Sequence, residues 1–262
     1  MSIQRILVLA MLVLSFATCS EGIELKRKVS EAQGTIEQAV KEEKFLFLYF
    51  YKPGQPLSEE MAKIMEEAGK KYKDRANFVS VNIEDKNEEK ILSRFGAQRA
   101  PLTVVLAPNE AVTGNFPGKI DLNILERGLV SDKTTRTIKA FQDGKAVILL
   151  VGNEKTPSFK EIEKEIVSYA QLLGNKSELI LLDPEEKKEA SLLSMVGLNA
   201  PLEKATTLVL SPFGILDKFE GRVSLGNLSS AYQKYIGLTQ QGAGGGGCSS
   251  GGSKKGVSCC AK

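Results

Sequence analysis

The sequence contains no histidine and no tryptophan, and its four cysteines, Cys19, Cys248, Cys259 and Cys260, leave everything between residues 19 and 248 without a thiol. Lacking an imidazole, the chain cannot run Ser-His-Asp or Cys-His nucleophilic catalysis, and any transition-metal site is restricted to thiolate, thioether and carboxylate ligands. Charge of one sign is also missing. Lys plus Arg number 35 against 32 Asp plus Glu, for a net charge of +3, and the two signs are interspersed along helix faces. No basic patch of the kind that nucleic acid needs is formed. The extended apolar run Ile6 to Phe16 is shorter than a membrane span.

What is present is a regular alternation of strands and helices. Phe45 to Phe50 is a short, aromatic-rich apolar run and reads as a strand buried on both faces. The turn cluster Lys52-Pro53-Gly54-Gln55-Pro56 follows. Met61, Ile64, Met65 and Ala68 then recur at helical spacing, with Glu59, Glu60, Lys63, Glu66, Glu67 and Lys70 on the opposite face. A second strand is predicted over Phe78 to Ile83, then the acidic loop Glu84-Asp85 and a short helix over Glu88 to Phe95, stopped by Gly96. The loop Arg99-Ala100-Pro101-Leu102-Thr103 opens a third strand, Val104 to Leu106. Met61, Met65, Phe95, Met195, Tyr232 and Tyr235 sit at helical spacing and are read as core rather than as a binding box.

The pattern occurs twice. Offset by 101 residues, the run beginning at Lys44 falls on the run beginning at Lys145, Gln55-Pro56-Leu57-Ser58 on Thr156-Pro157-Ser158-Phe159, Phe78 to Val81 on Leu179 to Leu182, and Gly96 on Gly197. Past Gly197 the offset becomes 104, so that Ala107-Pro108 matches Ser211-Pro212 and Pro101 falls on Ala205. The second copy has therefore lost the loop proline. Without the N-terminal stretch and a Gly-rich tail, roughly 220 residues remain, long for one domain of ~100–150 and sufficient for two. A linker is expected near Ser131 to Thr135, where polar residues interrupt the apolar pattern.

This order of elements resembles the thioredoxin family, through the segments YFYKPGQPLSEEM and VNIEDKNEEKILSRFGAQRAPLTVVL and the spacing between them. The resemblance implies an α/β fold of two tandem thioredoxin-like domains, each a central mixed β-sheet flanked by helices, over residues 24–130 and 136–238. The family's Cys-x-x-Cys slot is held here by Gln55, Pro56, Leu57 and Ser58, which cannot form a disulfide. The acid that the family carries just before its Phe-Trp pair is replaced by Tyr49. The resemblance further implies a cis Ala100-Pro101 bond and a shallow peptide-binding surface made by Tyr51, Gln55, Pro56, Ala100 and Pro101, with strand-like main-chain pairing at Ala100. The alternative is that Pro101 serves only the geometry of its turn.

The two ends are of a different kind. Residues 1–19 read as an export signal, Met1 to Arg5 supplying the basic end and Ile6 to Phe16 the apolar core. Ser15-Phe16-Ala17 suits ordinary cleavage, while Phe16-Ala17-Thr18-Cys19 resembles a lipobox that would lipidate Cys19; both routes stay open. Residues 240–262 read as a flexible Gly/Ser/Cys tail holding Cys248, Cys259 and Cys260 in a C-x10-C-C pattern. Three thiols without histidine suit a thiophilic ion such as Cu(I), or a disulfide from Cys248 to Cys259 or Cys260. The function expected is that of an exported, non-catalytic binding or scaffolding protein of the periplasm or cell envelope. Its partner would be another envelope protein or a peptide, not nucleic acid, and its only membrane attachment an N-terminal lipid. The alternative is a thiol-active protein that works through the tail cysteines.

Overall fold

The computed structural model describes residues 30–199 and 201–242. The residues read as an export signal, Cys19 and the three tail cysteines lie outside the described residues.

The first unit runs α1 (Glu31–Lys41), β1 (Phe45–Tyr51), α2 (Pro56–Tyr72), β2 (Ala76–Asn82), α3 (Glu89–Phe95), β3 (Leu102–Leu106), β4 (Val112–Pro117) and α4 (Leu122–Glu126). Its strands form one sheet in the order β2-β1-β3-β4, with β1 parallel to β2 and antiparallel to β3, and β3 antiparallel to β4. A central strand must be apolar on both sides, and the alternation of β1 shows why the whole run is. Leu46, Leu48 and Phe50 pack with Ile36 of α1 and Ile91 of α3, whereas Phe47 and Tyr49 pack with Met61, Met65 and Tyr72 of α2 and Leu125 of α4. Phe47 also stacks on Phe78, ring centroids 4.9 Å apart. Burial of each such side chain contributes roughly 1.5–3 kcal/mol relative to leaving it in water.

The second unit repeats this order with α5 (Asp132–Gln142), β5 (Ala146–Val151), α6 (Phe159–Leu173), β6 (Ser177–Leu182), α7 (Ala190–Met195), β7 (Thr206–Ser211), β8 (Gly214–Glu220) and α8 (Leu225–Gly242). The sheet order is β6-β5-β7-β8, with the same strand directions. Val147, Leu149 and Val151 face the cluster containing Leu192 and Leu193 of α7, and Ile148 and Leu150 the cluster containing Ile162 and Ile166 of α6 and Leu228 of α8. The repeat is legible in small details. Both hairpins carry an irregularity at matching positions, Val105/Leu106 and Val209/Leu210. Glu88 and Glu189, 101 residues apart, are both buried with one carboxylate oxygen unpartnered.

Two expectations change. Ser131 to Thr135 is not a linker: Ser131 caps α5, its hydroxyl accepting from the Thr134 N–H, and the helix begins at Asp132. Polar residues break the apolar pattern there because an N-cap and a first helical turn favour them. Met195 is not core, since its side chain is 70 % exposed at the last turn of α7, where Leu192 and Leu193 already fill the inward face. Met61, Met65, Tyr232 and Tyr235 are buried.

The units also differ. Helix α4 is much shorter than α8, and Gly128 follows it with its carbonyl accepting from the Thr113 hydroxyl at 2.7 Å. Between the units, the side-chain amide of Gln142 bonds both the N–H and the carbonyl of Val112, each at 3.0 Å, and so satisfies two backbone groups on edge strand β4.

Candidate functional site

The turn between β1 and α2 is built around Ser58. Pro56 opens α2, where its missing N–H costs nothing, and Gln55 stands before it in extended conformation without a side-chain cap. The Ser58 side chain is buried; its hydroxyl donates to the Gln55 side-chain carbonyl at 3.0 Å and accepts from the Lys52 N–H at 3.3 Å. From the strand side, the Tyr49 hydroxyl donates to the Ser58 carbonyl at 2.5 Å. Burial pushes the Tyr49 phenol above its ordinary range, against the bond to Ser58, with the neighbouring Tyr51 adding to the rise. A serine whose proton is committed to an amide oxygen, with no imidazole or carboxylate among its bonding partners, has no base to activate it. The turn is a closed hydrogen-bonded element.

The second turn is put together differently. The Thr156 hydroxyl accepts from the Asn153 N–H at 3.1 Å, and the Asn153 side chain donates to Asp183 at 2.9 Å. Helix α6 begins only at Phe159, whose ring lies where a Cβ on Gly152 would stand. The Thr156 hydroxyl thus takes over the bond that Ser58 makes to Lys52, since Asn153 is the counterpart of Lys52 101 residues on, while Phe159 stands at the position aligned with Ser58.

The Ala100-Pro101 bond is cis, the only cis peptide among the described residues. The Pro101 carbonyl accepts from the Gly118 N–H at 2.8 Å, and in the second unit Ala205 accepts from Gly221 at 2.7 Å, so Pro101 and Ala205 hold equivalent places at the strand entry. Ala100 itself is half-buried, and among the described residues neither its N–H nor its carbonyl has a hydrogen-bond partner. Beside it lies an open groove of about 540 Å³. Leu57 forms part of one wall, with Phe95 at the end of α3 and Gln98 beyond it, and Asn115 and Pro117 of β4 complete the lining around Arg99, Ala100 and Pro101.

Of the residues read from sequence as a peptide surface, the groove joins Ala100 and Pro101 with Leu57 of the degenerate turn. Tyr51, Gln55 and Pro56 do not line it. Tyr51 is half-buried, its ring 5.9 Å from that of Tyr49, and Gln55 is held by Ser58. Phe95, read as core, is half-buried and serves both purposes, packing 6.2 Å from Phe50 while lining the groove. Arg99 and Asn115 were not singled out from the sequence. Nothing in a single sequence separates an unpaired arginine from its paired neighbours. Among the described residues no group of three His, Cys, Asp or Glu is placed to hold a metal ion.

No protein family model and no curated protein matches this sequence. Among solved structures, the chain is similar to the germline-specific thioredoxin Deadhead of Drosophila melanogaster, at 17 % identity over 37 % of this chain and 90 % of that one, with a TM-score of 0.33. It is similar to StoA of Bacillus subtilis at 11 % identity over 33 % of this chain and 83 % of that one, with a TM-score of 0.29. Similarity to a protein described only as malarial is 17 % over 33 % of this chain and 93 % of that one, with a TM-score of 0.30. These likenesses are too slight to bear on function. The architecture rests on strand order, strand direction and helix placement, and by those the chain carries the thioredoxin-like fold twice in tandem.

Proposed function

We propose that the chain is a non-catalytic binding module of thioredoxin-like fold that takes an extended peptide segment of a partner protein in the groove beside Ala100. The observation that carries this reading is the pair of unpartnered backbone groups on Ala100 at the edge of an open, largely apolar groove. An extended chain laid there would complete a donor and an acceptor on Ala100 while its side chains bury Leu57, as in strand addition. Redox work in the folded units is disfavoured by chemistry: Ser58 and Gln55 stand where thiols would be needed, and every cysteine lies outside residues 30–242. The basic end and apolar core of residues 1–19 support an exported, envelope-associated location for this activity, with or without lipid on Cys19.

An immobilised library of extended peptides, probed with the full chain, tests the reading. Saturable binding that Leu57→Lys abolishes is expected; Leu57 is 47 % exposed, so the variant folds. Binding unchanged by Leu57→Lys, or none at all, would contradict it. A second reading is favoured by the location of the cysteines. That reading is a thiol-active protein using the tail cysteines Cys248, Cys259 and Cys260 for soft-metal binding or disulfide exchange, and it is compatible with a binding role for the folded part.

A further inference from the structure

We infer that the groove beside Ala100 selects extended peptides carrying a side-chain carboxylate, and that Arg99 is the residue that reads it. The inference rests on the peptide-binding reading above and names its ligand class. Arg99 is the one ionisable side chain in the groove lining. It is exposed, and it forms no hydrogen bond or ion pair with any described residue. Three other cations of the first unit are committed. Arg94 pairs with Glu110 at 2.6 Å, Lys119 with Glu60 at 2.5 Å, and Lys52 with Glu84 at 2.9 Å. In each case a carboxylate neutralises the cation, and among the described residues no carboxylate lines the groove to neutralise Arg99.

The position of the charge matters as much as its freedom. Arg99 adjoins Ala100, so a peptide paired with the Ala100 backbone runs past the guanidinium and has its nearby side chains within reach of five donors in a planar fork. A carboxylate accepts two of those donors at once, and an amide of the same shape cannot match that charge-assisted geometry. A basic side chain in the same register would be repelled. Residues 243–262 carry Lys254, Lys255 and Lys262 and neither Asp nor Glu, so they offer no side-chain carboxylate of this kind.

The test uses the full chain and blocked octapeptides of alternating Val and Thr, C-terminally amidated, with a single Glu moved through each position and a matched series with Gln. In at least one register Glu should bind more tightly than Gln by roughly three- to tenfold, the range of one partly exposed charge-assisted bond. Arg99→Gln should bring the Glu-to-Gln affinity ratio to about one in every register. Arg99→Glu should invert the preference toward a Lys-scanned series. Equal binding of Glu and Gln peptides in every register, with binding still lost in Leu57→Lys, overturns the inference and leaves the peptide-binding reading standing. A Glu preference that survives Arg99→Gln also overturns it, since another group would then be the reader. Failure of every peptide to bind overturns both.

Discussion

The hydroxyl of Tyr49 donates to the carbonyl of Ser58, tying the central strand β1 to the first turn of α2 through a buried bond. Removing it with Tyr49→Phe leaves the ring packed and the Ser58 carbonyl short of one donor, and should cost about 1 kcal/mol. Its pH signature follows from the sign of the shift. The Tyr49 phenol is raised by burial, so it ionises less readily in the folded chain than in the unfolded one. Its contribution is therefore fully present below about pH 10 and is lost as the pH rises through the folded value. Burial also raises Tyr232 and Tyr235. Urea melts at pH 7 and pH 11 should show the wild type weakening more than Tyr49→Phe, with part of the alkaline loss remaining in the variant. An equal loss in both chains would mean that Tyr49 does not take part.

Ser131 both caps α5 and donates to the buried Glu189 at 2.6 Å. Ser131→Ala should destabilise by about 1 kcal/mol from the cap alone. Because the Glu189 side chain is fully buried and its other oxygen is already unpartnered, the measured loss should exceed that of an ordinary exposed cap. Native-state hydrogen exchange should localise the loss to the amides of α5 and spare β1. Uniform loss across both units would count against this assignment.

Two glycines separate space from flexibility. A Cβ on Gly128 would stand 2.8 Å from Val105 Cγ2 and 3.0 Å from its Cβ, and Val105 is fully buried with no long side chain to swing aside. Gly128→Ala should cost about 1–3 kcal/mol through overpacking. Gly34, within α1, has nothing within 4 Å of the same added atom. Gly34→Ala should stabilise by roughly 0.5–1 kcal/mol. Thermal denaturation of the pair should move in opposite directions.

Leu149 is fully buried at the centre of the second sheet, whereas Met195 is 70 % exposed. Leu149→Ala should cost roughly 2–5 kcal/mol, and Met195→Ala should stay within about 0.5 kcal/mol of wild type. A large effect at Met195 would restore it to the core.

The sheet was readable in advance because β1 and β5 must be apolar on both faces, and such runs as Phe45 to Phe50 stand out against the charged helices around them. The duplication was readable because its register survives in residues that the fold constrains, among them Gly96 and Gly197, both at positive φ. The start of α5 was missed because a helix N-terminus and a linker share the same polar residues, and only backbone geometry distinguishes them. The exposure of Met195 was hidden because helical spacing marks a face but does not say whether the next layer covers it. For the groove, the sequence supplied Ala100 and Pro101, whereas Leu57 was read only as part of the degenerate turn and Tyr51, Gln55 and Pro56, read as surface, do not line it. Arg99 was not legible: its importance lies in the pairing of Arg94, Lys119 and Lys52 with distant carboxylates, and the chain order of Glu110, Glu60 and Glu84 does not reveal those pairs.

The central claim, that a partner peptide adds to the open backbone of Ala100, is tested most directly by amide hydrogen exchange at that residue. With no partner among the described residues, the Ala100 N–H should exchange rapidly in the free protein. Saturating a library-selected peptide should slow exchange at Ala100 and leave the amides of β6 unchanged. Unaltered exchange at Ala100 while the peptide is demonstrably bound would contradict the account.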